Sequence, residues 1–319
     1  METVSCNYCA SSEYSIVYQL HDLLLDRQDS KATFVKCARC SLLYQNPRPT
    51  PAEMETHYPP EYESYTHTIN RKELSLLQRK VYQYGINKRS RYVLRHKSGG
   101  HLLDVGCSTG LFLHGMQQYS NWELTGVEIN PFAAEIAQKQ YNLDIHVGTL
   151  EQAQFSDKSF DAIALWDVFE HLHNPSGSLI EIHRVLKDDG ILIVRVPNLD
   201  SWDAKLFGRY WAGLDAPRHL YVFNRDLLTK IFDKCGFRVK EMDSNIGSYP
   251  TFVLSLRFWM VAKNVQSNLA DKIINILYHP IARLITSPLF YIYGFGSRGP
   301  LIVATAVKSK VGIDARDTS

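Results

Sequence analysis

The stretch His101–Met116, HLLDVGCSTGLFLHGM, decides the fold. It begins as an apolar run, bends through a loop with two glycines, and leaves with apolar residues at helical spacing. That order predicts a strand, a loop and a helix, with the loop at the carboxyl end of the strand. In an α/β sheet this is where ligands bind. The loop lacks the lysine of GxxxxGK[ST], which disfavours a nucleoside triphosphate. It offers only Gly106 and Gly110 where a dinucleotide fingerprint needs GxGxxG. What remains is DxGxxxG, read as Asp104-Val105-Gly106-Cys107-Ser108-Thr109-Gly110.

Outward from this loop the chain alternates strand and helix patterns. Strands are expected at 101–105, 123–128, 144–147, 160–166, 190–196 and 237–242, and helices at 110–119, 131–140, 176–186 and 224–235. A final strand is expected in PLIVATAVKS, 300–309. Such alternation implies a mostly parallel sheet with helices on both faces. The stretch WELTGVEINPFAAEIAQ adds an acidic residue, Glu128, at the end of the second strand and a proline-started helix after it. A carboxylate about 20 residues past the loop suits the paired hydroxyls of a ribose. By itself Glu128 could equally cap its helix.

With these pieces in order, residues 100–245 resemble the class I S-adenosylmethionine (SAM) methyltransferases. The resemblance implies a Rossmann-like, seven-stranded α/β sheet and a SAM cofactor. It places the methionine and ribose of SAM against Asp104, Gly106, Cys107, Ser108 and Gly110, and the ribose hydroxyls on Glu128. It sets Thr149 and Leu150 beside the adenine, where the family often has an aspartate, and Asp167 near the methyl donor. His219, in FGRYWAGLDAPRHLYVFNRDLL, is the first candidate to deprotonate an acceptor; His171, in FEHLH, is the second. Packing or helix-entry roles are the alternatives for both.

The six cysteines form two CxxC pairs, Cys6/Cys9 and Cys37/Cys40, and two singles, Cys107 and Cys235. Two CxxC knuckles separated by about 27 residues fit a closed tetrahedral site for structural zinc. With NPRP and tyrosines following, residues 1–65 resemble the N-terminal zinc ribbon of many bacterial methyltransferases. They are otherwise expected to be loop-rich. A basic helical segment follows at 66–99, then the methyltransferase domain at 100–310 and a tail at 311–319.

The whole chain has 319 residues, 45% hydrophobic and 21% charged, with a formal charge of +2. That balance exerts no global pull toward nucleic acid. METVSCNYCA lacks the basic start and apolar core of a signal peptide, and the cysteine usage points to a cytoplasmic metal site.

Between the last two strands, the segment 250–300 is apolar and aromatic. Over 251–310 there are seven basic residues against the single acidic Asp271. Leu254, Phe258, Val261 and Val265 make one helical stripe, and Ile273, Leu277, Ile281, Leu284 and Pro288 another; Pro280 and Pro288 are breakers. The stripes fit an extra layer over the sheet, or a surface in peripheral contact with the inner face of an anionic membrane.

The expected activity is methylation, O-methylation first, of a small-molecule, sugar or lipid-linked acceptor. An rRNA or tRNA methyltransferase is the alternative enzyme, disfavoured by the mixed charges of the ribbon. A non-catalytic SAM-binding or zinc-dependent interaction protein is the alternative of another class. Nothing in the sequence sets an oligomeric state.

Overall fold

The computed structural model describes residues 1–59, 76–244, 248–293 and 298–309. Eleven strands fall into two sheets among these residues. The larger is built from β4 (Gly100–Val105), β5 (Trp122–Glu128), β6 (Asp144–Val147), β7 (Phe160–Trp166), β8 (Leu186–Pro197), β10 (Phe237–Asp243) and β11 (Leu301–Lys308). Their order across the sheet is β10-β11-β8-β7-β4-β5-β6. All neighbours from β8 to β6 run parallel, and β11 is antiparallel to both β8 and β10. Helices cover both faces, as expected. The apolar runs LLDV, AIALW and ILIVRV are central strands buried on both sides. Leu103, Val105, Ile163 and Leu165 enter one core cluster; their neighbours Leu102, Ala162 and Ala164 enter the other.

The expected strands and helices of this sheet form within a few residues of their read positions. The largest departure is β8, which begins at Leu186 rather than at 190. Leu186 pairs with Phe160 before an irregularity, so the polar Asp188-Asp189-Gly190 stretch is carried inside the strand. The basic helix runs over Leu76–Leu94, and the expected residues 66–75 of its segment lie outside the described residues.

The loop-rich expectation for 1–65 is corrected. Strands β1 (Tyr14–Asp22) and β2 (Arg27–Cys37) form a long antiparallel hairpin, joined by β3 (Leu43–Gln45). The turn LLLD has no glycine or proline to announce it. It is made instead by Asp22, whose Oδ1 accepts from the backbone N–H groups of Leu24 and Leu25 at 3.1 and 3.0 Å. The fourth strand of this sheet is β9 (Tyr221–Val222), which pairs with β3. The ribbon and the methyltransferase fold therefore share a sheet, and Cys6, Val35, Leu42 and Tyr44 pack in the same cluster as Leu103 and Leu165.

The segment before β11 forms helices at Ser248–Ala262, Ser267–Tyr278 and Pro280–Tyr293. Tyr249, Val253, Met260, Ala270 and Ile274 make a small core of their own. This line lies one residue off the expected stripe: Phe258 is buried, but Val261 is exposed. Pro280 starts its helix, whereas Pro288 lies inside one instead of ending it.

A buried ion pair ties the end of β1 to the loop before β9. Arg218 has no exposed side-chain surface, and its Nη1 and Nη2 donate to both carboxylate oxygens of Asp22 at 2.7 and 2.8 Å. Asp22→Asn leaves Arg218 paired with Asp215 but removes its bidentate hydrogen bonds to a carboxylate, and hydrogen bonds to charged groups are worth about 1.5–3 kcal/mol. The substitution is therefore expected to lower unfolding free energy by about that amount in chemical denaturation. A loss below about 0.5 kcal/mol, the level of a surface change, would contradict the clamp.

Candidate active site

The glycine loop leaves β4 with Gly106 at φ +70° and Gly110 at φ +76°. The backbone N–H groups of Gly106 and Cys107 both donate to the Val127 carbonyl, at 2.7 and 3.0 Å, which pins the loop to β5. Gly106 is required by packing. A Cβ there would stand 2.6 Å from Cγ2 of Val168, in the loop after β7. The glycine so brings the β4 loop against the β7 loop.

Glu128 ends β5 almost fully buried. Its Oε2 accepts from Ser108 N at 2.7 Å and its Oε1 from Asn130 N at 2.8 Å. Each oxygen keeps a second lone pair for a hydroxyl donor. Asp104 is buried at the mouth of β4, and burial pushes its carboxyl up to about 8, with Arg89 acting the other way. Asp104 Oδ1 and Ser108 Oγ are buried without a hydrogen-bond partner. Two orphaned polar atoms in one loop fit a polar ligand that has yet to arrive. Cys107 contributes backbone only, since its thiol packs into the core beside Gly126.

The expected adenine residues are less open. The Thr149 hydroxyl accepts from Gln152 N at 3.3 Å, and the Leu150 side chain lies in the core. The Thr149 backbone is engaged as well, its N–H donating to Gln152 Oε1 at 2.8 Å and its carbonyl accepting from Ala153 N at 3.2 Å. Asp167 has φ +59° and is gripped by Arg195, whose Nε donates to Oδ1 at 2.6 Å. Burial pushes its carboxyl up, but Arg195 and then Arg89 outweigh this and hold it below the usual range. Both guanidiniums stack over Trp166 at 5.6 Å.

The two candidate histidines, far apart in sequence, meet edge to face with ring centroids 4.6 Å apart. His219 Nδ1 is 2.9 Å from the Gly213 carbonyl, and His171 Nδ1 is 2.9 Å from the Arg218 carbonyl. Carbonyls only accept, so each Nδ1 carries the proton and donates it, leaving Nε2 with the lone pair. Burial holds both imidazoles below their ordinary pKa, that of His171 at about 3. His219 Nε2 lies 3.8 Å from Glu170 Oε1 and 3.9 Å from Asp215 Oδ2.

The ribbon supplies the other wall. Gln45 Nε2 donates to the carbonyls of Pro217 and His219 at 2.8 and 2.6 Å. Tyr58 Oη is 2.9 Å from His171 Nδ1. Asp215 and Asp22 share Arg218. None of Glu170, Gln45, Tyr58 or Asp22 was a site residue by sequence reasoning. An acid beside a histidine at the end of an apolar strand was the available signal for Glu170.

The four ribbon cysteines converge. Cys6 and Cys40 Sγ atoms are 3.4 Å apart, Cys9 and Cys37 3.5 Å, and all four lie within 4.8 Å of one another. Zn–S bonds of about 2.3 Å place tetrahedral sulfurs about 3.8 Å apart, so the set fits zinc. The two turns match: Ala10 N donates to Cys6 O and Ser41 N to Cys37 O, with Ala10 and Ser41 both left-handed.

A family described as a methyltransferase domain matches residues 77–242, more than half of the chain. The chain belongs to this family. Its cofactor is accordingly SAM. An uncharacterized protein of Methanocaldococcus jannaschii is 31% identical over 46% of the chain and 52% of its own length. An O-methyltransferase of Pyrenophora dematioidea is 26% identical over 46% and 58%. A demethylmenaquinone methyltransferase of Chlorobaculum parvum is 26% identical over 47% and 59%. The chain thus spans between half and three-fifths of these relatives. Among solved structures, a SAM-dependent methyltransferase from Archaeoglobus fulgidus superposes with a TM-score of 0.50 at 18% identity, covering 76% of this chain and all of that one. The [4+2]-cyclase SpnF does so with 0.53 at 18%, covering 83% and 98%. At that identity the likeness is one of fold alone.

Gly106→Val is expected to destabilise the folded protein by about 1–3 kcal/mol, through left-handed strain and the collision with Val168. Thermal unfolding checks this. Wild-type stability in the variant would mean that the two loops are not in contact.

Proposed function

We propose that this chain transfers a methyl group from SAM to a hydroxyl of a small-molecule, sugar or lipid-linked acceptor, with His219, supported by His171, assisting deprotonation. The observation that carries the reading is the placement of the histidine pair. Its His171 follows β7, three residues beyond Val168, whose side chain stands against Gly106 of the SAM loop, and His219 packs on His171. On this reading the methionine lies along 104–110, the ribose hydroxyls bind Glu128, and Asp167 borders the methyl donor. An O-methyltransferase among the relatives supports oxygen as the acceptor atom.

The two halves of the site separate experimentally. Glu128→Ala is expected to weaken SAM binding about tenfold or more in calorimetry, as for loss of a charged hydrogen-bond acceptor. His219→Ala is expected to keep SAM affinity and lower kcat about 100-fold in a labelled-methyl assay. Unchanged SAM affinity in the first variant, or near-normal turnover in the second, would overturn its assignment.

Zinc in the Cys6/Cys9/Cys37/Cys40 set is proposed as structural. A ribbon this small draws much of its folding free energy from its metal. Because Gln45, Tyr58 and Asp22 come from the ribbon, its loss should reach the acceptor site. Metal analysis should find one zinc per chain in this set, and its chelation should lower turnover. Purified protein without stoichiometric zinc, or full activity after demetallation, would contradict this.

A lipid-linked acceptor is favoured over a freely soluble one by the helices before β11. Ile276, Ile281, Leu284 and Ile285 are exposed, the last two by 74% and 71%, on helices that also carry Lys272 and Arg283. Among the described residues no helix is long and apolar enough to cross a membrane. Apolar side chains rimmed by cations fit an interfacial surface. Co-sedimentation with anionic vesicles at physiological salt is expected, and its loss in Leu284→Asp/Ile285→Asp; a wild-type protein that stays in the supernatant would refute it.

A further inference from the structure

The acceptor face contains a group with no role in the account so far. Glu170 has no exposed surface, and neither of its carboxylate oxygens has a hydrogen-bond partner. Such a group is costly in a protein interior unless something is there to meet it. What faces it is the Nε2 lone pair of His219, at 3.8 Å from Oε1. A second carboxylate oxygen, of Asp215, approaches the same nitrogen at 3.9 Å. One donor atom each from Glu170, His171 and His219 lies within 4.8 Å of the other two.

We propose that Glu170, His171 and His219 hold a divalent first-row cation. Three features point the same way. The donor set is two imidazoles and one carboxylate, a combination that binds such ions and leaves positions open for another ligand. The His219 imidazole already has the outer partner that metal-bound histidines have: its Nδ1–H is spent on the Gly213 carbonyl, which turns its Nε2 lone pair toward Glu170, while the His171 ring is held at Nδ1 by the Arg218 carbonyl and Tyr58 Oη. And the carboxylate is buried, unpartnered and within reach. Bonds of about 2.0–2.2 Å set neighbouring ligand atoms about 3 Å apart, so the trio closes on an ion through side-chain adjustments of about an ångström. Asp215 is engaged by Arg218 and stands outside the set. The thiolate cluster of the ribbon is separate in chemistry, being soft where this set is borderline to hard.

The ion itself stands on these side chains alone, while its purpose rests on the methyltransferase reading above. An acceptor hydroxyl at an open position would lose its proton to solvent more readily beside the cation. Its oxygen lone pair forms the new O–CH3 bond as the S–CH3 bond breaks. The bonding pair returns to sulfur, giving neutral-sulfur S-adenosylhomocysteine, with no net oxidation or reduction. The histidines then assist deprotonation through the ion they hold, and acceptors with two adjacent oxygens would be preferred because they can chelate it.

Mn2+ is the probe, since four thiolates discriminate against it. The full chain, its zinc content measured in parallel and kept constant, is titrated with Mn2+ while the free ion is counted by electron paramagnetic resonance. One Mn2+ bound per chain is expected, with pulsed spectra showing nitrogen coupling from imidazole. Glu170→Gln, close to isosteric, should weaken binding about tenfold or more. No stoichiometric Mn2+ in the wild type, bound Mn2+ without nitrogen coupling, or equal affinity in folded Glu170→Gln would each overturn the proposal. The nitrogen coupling needs no variant, so a misfolded Glu170→Gln cannot shelter it. SAM affinity, measured on the same sample by calorimetry, reports on the methyltransferase reading alone.

Discussion

The guanidinium of Arg218, sealed between Asp22 and Asp215, is the constraint on which the acceptor face depends. Burial works against its charge, while Asp215 and Asp22 hold it firmly protonated. A buried cation of this kind is tolerable only while both carboxylates stay in place. One comes from the turn of the ribbon hairpin and the other from the loop carrying His219. The pair therefore makes the two parts of the chain a single site. Its neighbours repeat the pattern: Arg48, nearly buried, donates to Tyr221 Oη and to the His173 carbonyl at 2.8 Å each. The β3–β9 pairing then extends the contact through the backbone.

Two consequences follow for chemistry. On the proposed reading the ribbon need not touch SAM to matter, because it holds His219 and its loop in place. The His219 backbone is held by Gln45, its imidazole by Gly213, and the preceding residue by Asp22. Such supporting contacts fix a catalytic constellation more tightly than loops do alone. The likeness to both a methyltransferase and a cyclase at similar TM-scores illustrates the other point. The sheet and its glycine loop provide a frame, and the acceptor face determines the reaction.

Legibility in the sequence followed the range of the interactions. The parallel sheet was readable because its strands are local apolar runs, and β7 came out at 160–166 as expected. The glycine loop and Glu128 were readable because a motif of seven residues, then one carboxylate at a strand end, carries its own spacing. The hairpin β1–β2 was not, because its turn depends on a side chain, Asp22, in place of glycine or proline. Leu150 was assigned to the adenine edge, but its side chain is in the core, a distinction that sequence position does not make. The stripe on Ser248–Ala262 was off by one residue, since periodicity gives a face's spacing and tertiary packing selects its phase. The convergence of Glu170 and His171 with His219 was beyond reach, being set by a fold-long separation that no local pattern encodes.

The most direct test is a crystal structure of the full chain with S-adenosylhomocysteine. The account predicts homocysteine along Asp104–Gly110, ribose hydroxyls on Glu128, and the sulfur directed at the His171–His219 face beneath the ribbon. A nucleoside bound elsewhere, or a sulfur turned away from that face, would contradict it.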